Sequence, residues 1–180
     1  MLVLAYVAFI SLGLPDGLLG VGWPSAAADF GVSTGALGLV TITMTVAYLL
    51  SSTSAGFVVE RLGVGRLLAL STALACAGLV GYAVAPALGF MAAAAVLAGL
   101  GAGAIDSGLN AYAAEEFGPR HMNWLHAAFG VGATVGPLVM TAVLALGLSW
   151  RWGFAVVAVA QAVLAVAFML TAGMWTRHHE

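Results

Sequence analysis

The sequence has little charge, no lysine and a single cysteine. Only 7% of its 180 residues are charged, 63% are hydrophobic, and the mean hydropathy is +1.10. A water-soluble domain does not have this composition, so we expect an integral membrane protein. One cysteine excludes an internal disulfide framework, and Cys76 lies in an apolar run where we expect it to pack as a small core residue.

Basic clusters and metal-binding motifs are also missing. The arginines are dispersed along the chain, which predicts no nucleic-acid partner. A membrane enzyme could hold a metal with His121, His126 and the pair Glu115-Glu116. However, the two histidines do not have the i, i+4 spacing of a helical zinc site. We therefore predict no metal, no cofactor and no enzymatic activity.

Long apolar segments dominate the sequence instead. Crossing a bilayer takes about 20 apolar residues. Six stretches meet this length: 2–22, 34–59, 67–85, 90–113, 123–147 and 153–174. They are unbroken and do not alternate with polar residues, which favours helices over barrel strands. The prediction is an all-α, six-helix membrane bundle that forms one domain over residues 1–180.

The arginines predict how this bundle is oriented. Arg61, Arg66, Arg120 and Arg177 fall on one side of it, and only Arg151 falls on the other. Because basic residues accumulate in cytoplasmic loops, we expect both termini in the cytoplasm. The location that fits is the inner (plasma) membrane, crossed several times.

Polar side chains inside the apolar segments indicate a working site. Asp106 and Asn110 are four residues apart, so they share one face of the fourth helix. An aspartate at the centre of a span costs roughly 2.5 to 3.5 kcal/mol, and such residues usually mark a functional cavity. Asp16 lies in the first segment, which we expect Pro15 to break and kink. Both carboxylates are predicted to face a shared cavity, although Asp16 could simply reach water beside a kink.

The surroundings of the two aspartates resemble each other. Gly13-x-x-Asp16 is matched by Gly103-x-x-Asp106, and the two acids lie at similar depths from opposite ends of their segments. This arrangement suits a 3+3 inverted repeat in which the first helix of each triplet lines the substrate path.

Two further polar residues have more than one interpretation. His126, just inside the fifth segment, could relay protons beside a buried carboxylate, or it could be a hydrogen-bonded residue of the membrane interface. Gln161, near the middle of the sixth segment, either lines the cavity or bonds a neighbouring helix.

The loop between the second and third segments resembles a known motif. Its sequence is similar to Gly-x-Leu-x-Asp-Arg-x-Gly-Arg-Arg, the loop motif of the major facilitator superfamily of transporters. Val64 and Gly65 stand where basic residues are usual, and Glu60 replaces the aspartate. The resemblance implies a gating loop made by Gly56, Glu60, Arg61, Gly63 and Arg66.

Four other stretches look like the fucose–proton symporter branch of this superfamily: Ser11–Gly20, Trp23-Pro24, Gly103–Asn110 and Asn123–His126. In that branch, acids on the first and fourth helices serve sugar binding and proton coupling. The resemblance implies these roles for Asp16 and Asp106, with Asn110 as a sugar-contacting amide. Tyr112 or a nearby aromatic would offer a stacking surface.

The superfamily has twelve helices in two halves, and this sequence contains six. Because the halves are related by an axis along the membrane normal, a second parallel copy could supply the other half as an isologous homodimer. The expected function is proton-coupled transport of a small polar solute such as a sugar. One alternative is an N-terminal half, or a non-transporting module, that needs a different half. Another is a drug/proton exporter, since one fold serves many substrates.

Overall fold

A computed structural model describes residues 1–175, and Arg177, used above for orientation, lies outside them. This part of the chain forms six long helices and no strand: α1 (Leu2–Phe30), α2 (Leu37–Leu62), α3 (Val64–Val84), α4 (Leu88–Glu116), α5 (Gly118–Ala145) and α6 (Arg151–Thr171). Short 3₁₀ turns cover Thr34–Ala36 and Ala172–Met174. All six helices are long and apolar enough to cross a membrane. The predicted all-α, six-helix bundle is confirmed.

The helices extend beyond several predicted boundaries. Helix α1 continues to Phe30, eight residues beyond the predicted end at residue 22, and α5 begins at Gly118 instead of residue 123. The predictions were short because hydropathy identifies only the apolar residues that can lie in the bilayer, whereas the helix continues through the more polar turns beyond them. The prediction that Pro15 breaks the first segment is wrong, because α1 is helical through Pro15 and Pro24.

Contacts between helices follow the pattern of an inverted repeat. Helix α1 packs along α5, and α2 packs along α4. Exchanging the first three helices with the last three converts one of these pairs into the other, as a 3+3 repeat requires. Both interfaces depend on glycine: a methyl group at Gly132 would collide with the carbonyl of Ile10, and one at Gly103 with the carbonyl of Tyr48. Small residues let membrane helices approach this closely.

The buried side chains form two clusters along the bundle. One contains Phe9, Leu109 and Phe168, and the other contains Leu18 and Phe154. Helices α3 and α4 contribute many buried residues, whereas α2 contributes three and α5 contributes five. Large parts of α2 and α5 are therefore on the surface of this chain.

One end of the bundle is tied together by a charged contact. Asp29 Oδ2 accepts hydrogen bonds from the Arg151 guanidinium and the Trp150 indole, each 2.8 Å long. Arg151 also donates to the carbonyl of Ala85 at 2.9 Å. The ends of α1, α3 and α6 are thereby joined. This ion pair is at the end of the bundle opposite the α2–α3 and α4–α5 turns.

Candidate functional site

A cavity of about 350 Å³ lies among α1, α2, α4 and α5. Its lining residues are Phe9, Leu12, Asp16, Met44, Tyr48, Ala102, Asp106, Asn110, His126 and Phe129. The structure thus brings together four of the side chains singled out in the sequence: Asp16, Asp106, Asn110 and His126. Their role in binding stays a prediction.

Hydrogen bonds hold the carboxylate of Asp106 in place. The Tyr48 hydroxyl donates to Oδ2 at 2.5 Å, and the Asn110 amide donates to Oδ1 at 2.9 Å. Tyr48 comes from α2 and Asn110 from the next turn of α4, so the carboxylate is fixed from two sides. An ionised carboxylate has about four lone-pair sites. Two lone-pair sites remain after these bonds, and they could accept hydrogen bonds from a solute or bind a proton.

Close packing of α2 on α4 brings Tyr48 to Asp106. Gly103 lies against the main chain of Tyr48, so α2 can approach α4 there. One turn further along, the hydroxyls of Ser52 and Ser107 are 2.5 Å apart and join the same two helices. In α4, Gly103 therefore allows α2 to come close, and Asp106 and Ser107 bond residues of α2 and so fix its position along α4.

Asp16 is exposed on α1 where two cavities meet. A second cavity, also about 350 Å³, has the lining residues Asp16, Leu19, Gly20, Leu37, Thr41, Met44, Thr45 and Tyr48. It shares Asp16, Met44 and Tyr48 with the Asp106 cavity. The two spaces adjoin at these residues and together run along the groove between α1 and α2.

The other sequence-predicted residues occupy different places. His126 lines the Asp106 cavity, and its ring makes an edge contact with Phe9, with centroids 5.8 Å apart. Gln161 does not line this cavity and is buried in the core of the bundle. Tyr112 is also buried, against the rings of Phe117 and Trp175, so it does not offer the expected stacking surface.

Tyr48 is the site residue that sequence reasoning missed. A signal for it was present, because Thr41, Thr45, Tyr48 and Ser52 follow the i, i+4, i+7, i+11 spacing of one helix face. The helix also carries Thr43, Ser51, Thr53 and Ser54, but Thr41, Thr45, Tyr48 and Ser52 repeat along one face over three turns. In a membrane span such a stripe indicates a helix that faces a cavity or another polar surface.

The five residues of the predicted gating loop lie around the α2–α3 turn, and none lines the Asp106 cavity. Gly63 makes the turn with a φ of 78°, a conformation that favours glycine. The Arg61 guanidinium stacks over the ring of Phe57, 4.1 Å from its centroid. Glu60 and Arg66 are exposed, and Gly56 has open space around it.

Nearly the whole chain matches a known family. The model of the Major Facilitator Superfamily matches residues 5–179. The chain belongs to this superfamily. It is therefore a multi-pass membrane protein, as its composition and apolar segments predicted, and it belongs to a transporter family, as the motif resemblance implied.

Solved structures of superfamily transporters share its fold. A proton:xylose symporter, XylE, superposes with a TM-score of 0.82 at 15% identity, covering 94% of this chain and 43% of the other. A peptide transporter, POT, gives a TM-score of 0.77 at 17% identity, with coverage of 94% and 38%. Each match corresponds to less than half of the larger protein.

A curated relative is similar over a shorter region. The efflux pump DEP3 of Fusarium langsethiae is 33% identical over 84 residues, which are 44% of this chain and 15% of that protein. The fucose–proton symporter branch stays a prediction, since these comparisons support the superfamily and the half-domain fold.

Proposed function

We propose that this chain contributes half of a proton-coupled pathway for a small polar solute such as a sugar. The observation that carries the proposal is the Asp106 carboxylate, held by Tyr48 and Asn110 beside Asp16 in a cavity of about 350 Å³. Ionisable side chains within a span are costly, and they line solute or proton pathways when they face a shared cavity.

The hydrogen bonds around Asp106 suggest how a proton and a solute influence each other. An ionised carboxylate only accepts, whereas a protonated one also donates and loses acceptor sites. Protonation of Asp106 therefore weakens its bond with the Tyr48 hydroxyl and changes the contact between α2 and α4. Solute hydroxyls that bind Asp106 or Asn110 depend on the same lone pairs, so solute and proton occupancy are linked.

Cavity size and lining suit a monosaccharide. Small-molecule sites usually measure about 300 to 1,000 Å³ and combine apolar walls with a few placed polar groups. The walls here include Phe9 and Phe129, and the polar groups are those around Asp106. Aromatic rings can cover the C–H faces of a sugar while the carboxylates and the amide bind its hydroxyls.

Drug/proton export is the second candidate. Half of the cavity lining is apolar and includes Leu12, Met44 and Ala102 beside the two phenylalanines. Of the similar proteins, DEP3 is named as an efflux pump. This apolar part of the cavity wall would accept a flat hydrophobic substrate as well as a sugar.

The missing half of the cavity is supplied, in this proposal, by a second copy in a parallel homodimer. The surfaces available for it are the exposed faces of α2 and α5, which flank the cavity. A C₂ axis along the membrane normal would place both cavities at one interface. The alternative is a different six-helix half. Native mass spectrometry from lipid particles distinguishes the two, since a dimer has twice the mass of the 18.1 kDa chain.

Transport in proteoliposomes tests the role of Asp106. We expect an imposed proton gradient to drive accumulation of a labelled monosaccharide, and Asp106→Asn to abolish accumulation while exchange continues. Asp29→Asn is the matched control, because it makes the same chemical change outside the cavity. Accumulation by Asp106→Asn at the unmodified rate would show that this carboxylate does not couple protons. Gradient-driven extrusion of an apolar dye without sugar uptake would favour the exporter.

A further inference from the structure

A third, much smaller cavity lies in the core, where residues of α1, α2, α3, α4 and α6 line it. Its volume open to a water-sized sphere is about 20 Å³, and its lining residues are Ser11, Leu12, Pro15, Met44, Ala75, Leu79, Ala98, Ala102 and Gln161. One water molecule needs roughly 10 to 15 Å³ by this measure. A sugar or a peptide does not fit, but one water does.

Gln161 lines this cavity, and its side-chain amide carries an unsatisfied acceptor. The residue is 3% exposed. Its Oε1 atom has no hydrogen-bond partner within residues 1–175, and it is the one buried side-chain oxygen or nitrogen there with this property. Leaving such an acceptor unpaired in an apolar core is costly, so a buried amide usually finds a donor in the protein or in water.

Pro15 leaves a second acceptor without a donor on α1, where both Ser11 and Pro15 line the cavity. Proline has no N–H, so the main-chain carbonyl of Ser11, four residues earlier, lacks its usual helical donor. The Ser11 hydroxyl cannot replace that donor, because it donates to the carbonyl of Ala8 at 2.7 Å. One acceptor on α1 and one on α6 therefore lack a donor, both belong to residues that line the cavity, and a ligand with two donors would satisfy them.

We propose that a single water molecule binds in this cavity and donates one hydrogen bond to Gln161 Oε1 and one to the Ser11 carbonyl. It joins α6 to α1 one turn before Asp16. This explains how α1 remains helical through a proline inside the membrane, where free carbonyls must find a partner. Leu12, Met44 and Ala102 line both this cavity and the Asp106 cavity, so the water has a short route for exchange.

Substitution of Gln161 by methionine tests the site through the sign of its effect. Methionine has a similar length but no amide. If Oε1 were an unpaired acceptor, its removal would raise the midpoint of thermal unfolding. If a water bridges it to Ser11, its removal takes a partner from the water, and we expect the midpoint to fall by roughly 2 to 4 °C. Leu164→Met, a buried position one turn further along α6, controls for the change in side-chain shape.

Pro15→Ala shows whether Ser11 is the second partner of the water. Alanine restores the N–H that the Ser11 carbonyl lacks, so the effect of Gln161→Met should shrink to less than half in this background. An unchanged or higher midpoint for Gln161→Met, or an equal fall in both backgrounds, would overturn the proposal. If a variant does not fold, a density map of the unmodified chain near 2 Å decides: a peak within hydrogen-bond distance of Gln161 Oε1 supports the water, and no peak overturns it.

Discussion

Substitution of two glycines of α5, which differ in their surroundings, tests whether α1 depends on close contact with α5. A methyl group at Gly132 would collide with the main-chain carbonyl of Ile10 on α1. One at Gly130 would meet nothing within 4 Å. Both positions are helical, so Gly132→Ala and Gly130→Ala make the same local change on one helix. Only the first pushes α1 away from α5.

Their expected effects have opposite signs. Alanine is favoured over glycine in a helix by about 0.5 to 1 kcal/mol, so Gly130→Ala should be slightly stabilising. Overpacking usually costs about 1 to 3 kcal/mol. The obstacle at Gly132 is the main chain and not a flexible side chain, so we take the upper part of this range. The net loss for Gly132→Ala is then about 1 to 2.5 kcal/mol.

The assay is thermal unfolding in detergent at a fixed scan rate. For a chain of this size, 1 kcal/mol shifts the midpoint by about 2 to 4 °C. We expect Gly132→Ala to unfold roughly 2 to 10 °C below the unmodified chain and Gly130→Ala at or slightly above it. Equal midpoints for the two variants would refute the reasoning, because α1 would then not depend on close contact with α5.

Two further predictions concern the ends of the bundle. Arg151→Gln removes the ion pair with Asp29 and the hydrogen bond to the Ala85 carbonyl; the side chains of Arg151 and Asp29 are 33% and 47% exposed. Exposed pairs contribute about 1 kcal/mol or less, so we expect the midpoint of thermal unfolding to fall by about 2 to 4 °C, and by less in high salt. An equal fall for Arg61→Gln would contradict a specific role of Arg151. The orientation can be tested by introducing Ser33→Cys or Leu62→Cys, one at a time, into a chain that carries Cys76→Ala. A membrane-impermeant maleimide added to intact cells should label the cysteine at position 33 at once and the cysteine at position 62 only after permeabilisation. The reverse pattern would refute cytoplasmic termini.

Hydropathy and the positions of the charged residues were sufficient to predict the six helices and the presence of Asp16 and Asp106 in one cavity. A carboxylate has few acceptable places inside a membrane, so its position constrains the helix that carries it. The helix ends were less predictable, because α1 continues through polar residues as far as Phe30. Tyr48 was missed for a different reason: tyrosine is compatible with an apolar span, and its partner on another helix becomes visible only after packing. Gln161 could not be placed, since its burial depends on four helices at once.

The two carboxylates hold equivalent places in the repeat but have unequal surroundings. Asp106 is braced by Tyr48 and Asn110, which fixes where a bound solute would meet it. Asp16 is exposed where the two cavities adjoin, a position with easier access to water. In a proton-coupled pathway, a braced carboxylate suits recognition and an accessible one suits proton exchange. Under the proposed function, substitutions at Asp106 should therefore alter solute affinity as well as coupling. Substitutions at Asp16 should act mainly on the pH dependence of transport.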